Sequence, residues 1–186
     1  MLKTASVKGS SWVVTIGGFR GVEAEELSVL LSRVAAAVKP ELYQLLNADR
    51  VAGLDHVYMA AVNAVNRIEN GTAVSKSLPV ETLLTASCQD QISTGFETIG
   101  VGAATRNLVL VVFARSREAS EEAFTRSKII LGGADDSVLE VTPRKLGELK
   151  EVYHVSDVEI GSTGRSPSEA LTGLLVERGA LLSLSR

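Results

Sequence analysis

The residue types that most often do chemistry are sparse in this chain. Among 186 residues there are two histidines, His56 and His154, and one cysteine, Cys88. Three such side chains cannot form a cysteine-rich zinc site, and no Gly-x-Ser-x-Gly motif of a nucleophilic hydrolase is present. We therefore expect no catalytic residue, no metal and no cofactor, and predict that the protein is not an enzyme.

His56 is the strongest candidate for a catalytic base, and it lacks a local partner. Asp55 is adjacent in sequence, and neighbouring residues on a helix point in different directions. We interpret His56 as a surface or partner-facing residue. The alternative is a small hydrolase or transferase in which His56 works with a distant carboxylate.

Two short motifs invite a ligand-binding interpretation. The segment 17–21, Gly-Gly-Phe-Arg-Gly, lies between a predicted strand and a predicted helix, but it matches neither phosphate-binding glycine pattern. We interpret it as a flexible connection. Asp135 and Asp136 are adjacent carboxylates at the start of a predicted strand. Such neighbours point to opposite faces, which favours a solvated turn over a shared metal.

Composition bounds the class of protein. Hydrophobic residues make up 45% of the chain, which is enough to form a core. The net charge is −3, so the chain lacks the basic excess that is typical of nucleic-acid-binding proteins. The single cysteine, a polar start and a longest apolar run of seven residues, 108–114, predict a soluble, cytoplasmic protein.

The hydrophobic pattern predicts an α+β fold, in which helices pack on a mixed or antiparallel sheet as a two-layer sandwich, within one domain over residues 1–186. A turn at Gly17 and Gly18 should end the first strand. A short helix after Asp90 should point Ile92, Phe96 and Ile99 inward. The predicted strands are 11–16, 42–46, 108–113, 137–141 and a last one around Leu182 and Leu184. The predicted helices are 23–38, 54–69, 79–87, 118–131, 143–150 and 167–179.

The helix that contains His56 has two distinct faces. An apolar stripe should face the core, and a line of one small and three hydrogen-bonding residues should be exposed on the other side. That line is His56, Ala60, Asn63 and Arg67.

Three segments together resemble one family. They are 46–51 (Leu-Asn-Ala-Asp-Arg-Val), 81–92 (Glu-Thr-Leu-Leu-Thr-Ala-Ser-Cys-Gln-Asp-Gln-Ile) and 132–140 (Gly-Gly-Ala-Asp-Asp-Ser-Val-Leu-Glu). Their order and spacing are similar to those of the kinase-binding subunit of the KEOPS tRNA-modifying complex, the CGI-121/TPRKB family. The resemblance runs from about residue 44 to the C-terminus, and residues 1–43 match it less clearly. The family's middle segment carries glycine where this chain has Cys88 and a basic residue where it has Asp90, so a cation that could meet a phosphate is missing.

The resemblance implies a role without catalysis. KEOPS transfers a threonylcarbamoyl group onto an adenosine of tRNA, and the transfer occurs on another, metal-containing subunit. A small atypical kinase, acting as an ATPase, joins that subunit to the present one. Members of this family bind that kinase and the single-stranded 3′ CCA tail of the tRNA.

The RNA tail could bind at the break between two helices. Side chains there that both donate and accept hydrogen bonds can bind unpaired bases, and free backbone N–H groups can bind a phosphate. The residues we assign are Lys76, Ser77, Ser87, Gln89 and Gln91.

For the kinase, apolar residues that cover more than one stripe of the last helix predict an exposed docking patch. The assigned residues are Leu171, Leu174 and Leu175, together with His56, Ala60 and Asn63. A purely structural dimerising domain is the other alternative.

Overall fold

A four-stranded antiparallel sheet forms the centre of the molecule. The computed structural model describes residues 3–23 and 26–182. The spatial order of the strands is β1-β2-β4-β3, and each neighbouring pair is antiparallel. Every residue of β4 is buried, because helices cover both faces of the sheet. A strand in this position has a continuous apolar sequence. The strands are β1 (Lys3–Ser6), β2 (Val13–Phe19), β3 (Leu42–Asn47) and β4 (Leu108–Ala114).

Helices cover both faces of this sheet. On one face Ile16, Val109 and Val111 pack against α2 and α3, and on the other Leu110 and Val112 pack against α1 and α5. The predicted α+β fold with an antiparallel sheet is confirmed, but the sheet is the middle of three layers and not one of two. The helices are α1 (Leu27–Val38), α2 (Leu54–Asn70), α3 (Leu78–Ser87), α4 (Ile92–Ile99), α5 (Arg117–Leu131), α6 (Pro143–Tyr153), α7 (Asp157–Ser162) and α8 (Pro167–Leu181).

The last three helices have a small core of their own. Leu149 of α6, Ile160 of α7 and the buried side of α8 enclose it, and Ala52 in the loop before α2 closes it. α8 also packs on α2 and α3, so the C-terminal helices are joined directly to the side of the sheet that α2 and α3 cover.

The predicted strand 137–141 is wrong. Asp136–Leu139 is a 3₁₀ helix, because Oδ1 of Asp135 accepts a hydrogen bond of 3.0 Å from the Ser137 amide and caps it. The preceding residues pair with β2 beyond the end of β1. The Asp135 amide donates to the Gly18 carbonyl at 2.8 Å, and the Gly18 amide donates to Oδ1 of Asp136 at 2.9 Å.

The predicted turn at Gly17 and Gly18 is also wrong, since both residues lie inside β2. A Cβ atom on Gly18 would come within 2.5 Å of Cγ2 of Val138 and 2.8 Å of the Asp135 carbonyl oxygen. The glycine therefore permits the 3₁₀ helix to lie directly on the strand.

The chain ends and connections differ from expectation in smaller ways. α1 begins at Leu27, after residues 24–25, which lie outside the described chain. The predicted last strand is wrong at Leu182, which follows α8 with helical backbone angles, and Leu184 lies outside the described residues. β1 and α7 are elements that the sequence did not indicate. In the described ranges we find no helix with the length and apolar character needed to span a membrane.

Candidate functional site

The break between α3 and α4 has a fixed backbone geometry. α3 ends with Cys88 in the left-handed conformation, at φ 56° and ψ 33°. The Gln89 amide donates to the Leu84 carbonyl at 3.1 Å and the Cys88 amide donates to that of Thr85 at 3.3 Å. Glycine is the usual residue at a helix end of this kind, because it adopts positive φ without strain. Cys88 adopts the same backbone conformation with a side chain present.

The Cys88 thiol is held inside the break. Its Sγ lies 3.4 Å from the Leu175 carbonyl oxygen of α8. Burial raises the pKa of this thiol to about 12, with Arg178 opposing the shift. The side chain therefore acts as an apolar anchor between α3 and α8, and it has little thiolate character at neutral pH.

The structure divides the five residues assigned to the RNA tail. Ser87 is fully buried and its hydroxyl donates to the Leu84 carbonyl at 3.1 Å, so the expectation that it faces a ligand is wrong. Gln91 is exposed and Gln89 is half-buried. Gln91 is the residue before α4 and its side chain does not cap that helix. Lys76 and Ser77 are exposed just before α3.

Two apolar side chains of α4 point outward beside Gln91. Ile92 is 48% exposed and Phe96 is 46% exposed, whereas Ile99 is buried. The predicted inward orientation is therefore wrong for the first two. A Cβ on Gly95 would lie 2.8 Å from Cδ2 of Leu83, so α4 presses its glycine face against α3 and turns Ile92 and Phe96 to the surface.

A buried ion pair holds the loop that carries Lys76 and Ser77. Nη1 of Arg67 lies 3.3 Å from Oε1 of Glu81, and both side chains are almost wholly buried. The other carboxylate oxygen of Glu81 accepts hydrogen bonds from the Val74 and Ser75 amides at 3.0 and 2.9 Å. The pair thus fixes the segment that leads into α3.

Arg67 also binds α3 and α8. It donates to the Thr85 hydroxyl at 3.1 Å and to the carbonyls of Gly179 and Ala180. The prediction that Arg67 belongs to an exposed line is wrong, because α3 and α8 both pack on this side of α2.

The same packing buries His56 and Ala60, while Asn63 is half-buried. Nδ1 of His56 accepts a hydrogen bond from the Ala52 amide at 3.1 Å. Nε2 has no hydrogen-bond partner among the residues that the structure describes. The expectation of an exposed His56 is wrong, and in the described part of the chain its ring makes no hydrogen bond to the acid or nucleophile that the hydrolase alternative requires.

Burial lowers the pKa of His56 to about 4; the Ala86 carbonyl opposes this shift and the Lys145 ammonium adds to it. The ring is therefore neutral at physiological pH. Its edge meets the ring of Tyr153, with centroids 6.1 Å apart. The hydroxyl of Tyr153 lies 2.9 Å from the Arg50 carbonyl and 3.3 Å from that of Ala86.

The patch assigned to the last helix is mostly core. Leu171 and Leu175 are fully buried and Leu174 is half-buried. The expectation that the first two are exposed is wrong, because α6 and α7 form the small C-terminal core around them. An adjacent side of α8 instead borders an open groove of about 750 Å³. Its lining includes Thr172 and Val176 of α8, Leu54 of α2, and Leu139 and Val141.

The described residues contain no group of three or more histidine, cysteine or acidic side chains arranged to hold a metal ion. Sequence reasoning missed the groove beside α8 and the outward pair on α4. The signal for the second was Gly95, whose missing side chain marks the face of α4 that packs most closely.

Comparison with known proteins gives two agreeing results. The family model described as kinase binding protein CGI-121 matches residues 19–181. The regulatory protein Cgi121 of Methanocaldococcus jannaschii is 33% identical over 114 residues, which cover 61% of this chain and 70% of that protein. The family match begins well before residue 44, so it includes the end of β2 and all of α1. The chain therefore belongs to the CGI-121 family of kinase-binding proteins.

Proposed function

We propose that this protein is a non-catalytic subunit of the KEOPS complex, which binds the small atypical kinase and the 3′ CCA tail of tRNA. In this role it supports threonylcarbamoyladenosine modification in the cytoplasm, and the chemistry occurs on other chains. Membership of a kinase-binding family supports the first partner. The observation that carries the second is the outward row at the break between α3 and α4, which consists of Gln89, Gln91, Ile92 and Phe96.

This row offers the two kinds of contact that unpaired nucleotides use. The Gln91 amide is exposed and not used for capping, so it is available to donate to and accept from base edges. Phe96 has 46% of its surface open to solvent. Bases stack on exposed aromatic rings in complexes with single-stranded RNA. A ring buried in the core would be out of reach of a base.

Charge near the row is local. Lys76 is exposed next to Ser77, and Ser77 lines one surface pocket together with Phe96. The chain as a whole has a net charge of −3, so long-range attraction to the tRNA body is weak. Recognition then depends on the tail itself, which agrees with a docking site for a single-stranded end.

The kinase docks, in this proposal, over the groove beside α8. Thr172 and Val176 present the accessible side of α8, and Leu54 and Val141 widen the apolar floor. Apolar anchors of this kind typically form the centre of a protein interface. Leu174, which is half-buried, lies on the opposite side of α8 from Thr172 and Val176 and does not line this groove.

Two experiments test the proposal. In the first, purified protein is titrated into tRNA with an intact CCA end and into the same tRNA trimmed of it. The intact tRNA should shift, and replacing both Gln89 and Gln91 with alanine should weaken that shift while the circular dichroism spectrum stays unchanged. Equal binding to both tRNAs would contradict tail recognition.

The second experiment is co-purification with the small KEOPS kinase. The proposal requires a stoichiometric complex. A tight homodimer that captures no kinase would favour the purely structural dimerising alternative.

A further inference from the structure

A second cavity lies on the other side of the segment 138–142 from the groove beside α8, since alternate residues of this segment line the two. It has a volume of about 620 Å³ between the 3₁₀ turn Ala48–Arg50, the 3₁₀ helix Asp136–Leu139 and one side of α6. Two of the three segments by which the chain resembles its family, 46–51 and 132–140, contribute to its wall. The proposed function uses only Leu139 of these segments, which lines the groove beside α8.

The basic side chains in this wall differ in their pairing. They are Arg20, Arg50, Arg144 and Lys145. Arg20 is bound to Asp135 and to the Ser137 hydroxyl, each at 2.7 Å. Arg144 is paired with Glu148 at 2.8 Å. The other two, Arg50 and Lys145, have no carboxylate within 4.0 Å in the described chain.

Lys145 is the unusual member of this set. It is only 8% exposed, and its Nζ donates to the Val138 carbonyl at 2.7 Å. Arg67, which is similarly buried, has a carboxylate and three further oxygens as partners. A buried cation with one neutral acceptor keeps a large desolvation cost. In agreement, burial lowers the pKa of Lys145 to about 8, and Asp49 opposes the shift only partly.

The acidic side chains show the same division. Asp49, Glu140, Glu148 and Glu151 line the cavity. Asp49 accepts a hydrogen bond from the Asn107 amide at 3.0 Å, and Glu148 is paired with Arg144. The carboxylates of Glu140 and Glu151 are exposed and make no ion pair with any residue that the structure describes.

The cavity therefore presents two uncommitted cations and two uncommitted carboxylates, with equal numbers of basic and acidic side chains in its wall. A polyanion such as an RNA backbone would meet the acids at the rim. A ligand with a single negative charge would satisfy Lys145 and Arg50 and leave the acids without a partner. We propose that this cavity binds a small amino-carboxylate, whose carboxylate meets Lys145 and Arg50 and whose ammonium meets one of the two acids, Glu140 before α6 or Glu151 in its last turn.

The test is a titration of the isotopically labelled full chain, followed by amide chemical shifts, with glycine, 4-aminobutyrate and 6-aminohexanoate as probes. These zwitterions differ in the distance between their charges. Butyrate and butylammonium, each with one of the two charges, are the comparison ligands. At least one zwitterion should give saturable shifts around Arg50 and Lys145, at about tenfold lower concentration than either comparison ligand, because charge-assisted hydrogen bonds at both ends contribute.

Variants localise the effect. Lys145→Met and Arg50→Gln should each weaken binding roughly tenfold, and so should Glu140→Gln together with Glu151→Gln. Arg50→Gln keeps the test valid if Lys145→Met fails to fold, since the Arg50 side chain is exposed and makes no ion pair with any described residue. Arg33→Gln and Glu122→Gln, exposed on α1 and α5, are the matched controls and should bind as the wild type does.

Two results would overturn the proposal. One is the absence of saturable shifts with every zwitterion at concentrations up to tens of millimolar. The other is binding of butyrate or butylammonium as tight as that of the tightest-binding zwitterion. Neither result depends on tRNA or on the kinase, so the proposed function stands or falls separately.

Discussion

The Arg67 guanidinium lies 3.3 Å from the Glu81 carboxylate, in a position where 7% of the first side chain and none of the second is exposed. The pair joins α2 to α3, and the remaining donors of Arg67 reach the end of α8. A single charged contact thus connects three helices and the loop before α3.

Replacing Arg67 with methionine should therefore destabilise the protein by about 3–5 kcal/mol, because the Glu81 carboxylate would remain buried without a counter-charge. Urea denaturation measures the change. The matched control is Arg117→Gln, which removes an exposed ion pair with Glu121 and should cost less than about 1 kcal/mol. An Arg67→Met protein as stable as the wild type would contradict the role given to this pair.

The buried His56 should make the protein less stable in mild acid. Its pKa is about 4 in the folded chain and about 6.5 when unfolded, so the unfolded state binds the proton first. The contribution of His56 to the free energy of unfolding should be constant above pH 6.5. It should fall by up to about 3 kcal/mol as the pH drops toward 4. His56→Asn should remove this part of the slope in denaturation curves recorded between pH 7 and 4. An unchanged slope would mean that the pKa of His56 is the same in the folded and unfolded states.

Two glycines should respond to alanine in opposite directions. Gly18→Ala should destabilise by about 1–3 kcal/mol, because its Cβ would overlap Val138 and the Asp135 carbonyl. Gly147 lies inside α6, where an added Cβ would meet no atom within 4 Å, so Gly147→Ala should stabilise by about 0.5–1 kcal/mol. Thermal unfolding of both variants checks the pair. A neutral Gly18→Ala would show that the 3₁₀ helix can move away from β2.

Phe96→Ala should weaken binding of the CCA tail by roughly 5- to 100-fold, the range expected for loss of one base–aromatic stack. Fluorescence anisotropy with a labelled single-stranded RNA that ends in CCA measures the affinity. Ile129, which is 83% exposed on α5, supplies the control Ile129→Ala. Equal affinities for the two variants would exclude Phe96 as a stacking platform.

Val176→Glu should reduce kinase capture by more than about tenfold, since docking over the groove would bury an unpaired carboxylate. A pull-down at several kinase concentrations gives the affinity, and Ile129→Glu introduces the same charge on α5 as a control. If both variants retain the kinase, the docking surface lies elsewhere.

Strongly periodic elements could be predicted from the sequence, and contacts between distant segments could not. β4 and α5 lie within a residue of their predicted bounds, because a long apolar run and a marked helix end are local signals. Gly17 and Gly18 resemble a turn locally, but the role of Gly18 is set by its contact with Val138, which is far away in the sequence.

The candidate site shows the same limit. Arg67 and His56 have side chains that usually favour the surface, so their helix face reads as exposed until α3 and α8 are placed on it. Ile92 and Phe96 read as core for the converse reason. In both cases the exposure of a side chain depends on which other helix packs on that face. Amino-acid type and spacing within one helix do not specify this.

The Tyr153 hydroxyl, which reaches the carbonyls of both Arg50 and Ala86, ties the last turn of α3 to the loop after β3. Its ring is buried, and the two contacts of its hydroxyl set the distance between those backbone segments in the free protein. In the proposed function, a nucleotide that arrives at the helix break would then meet an end of α3 that is already fixed, and little conformational entropy would be lost on association.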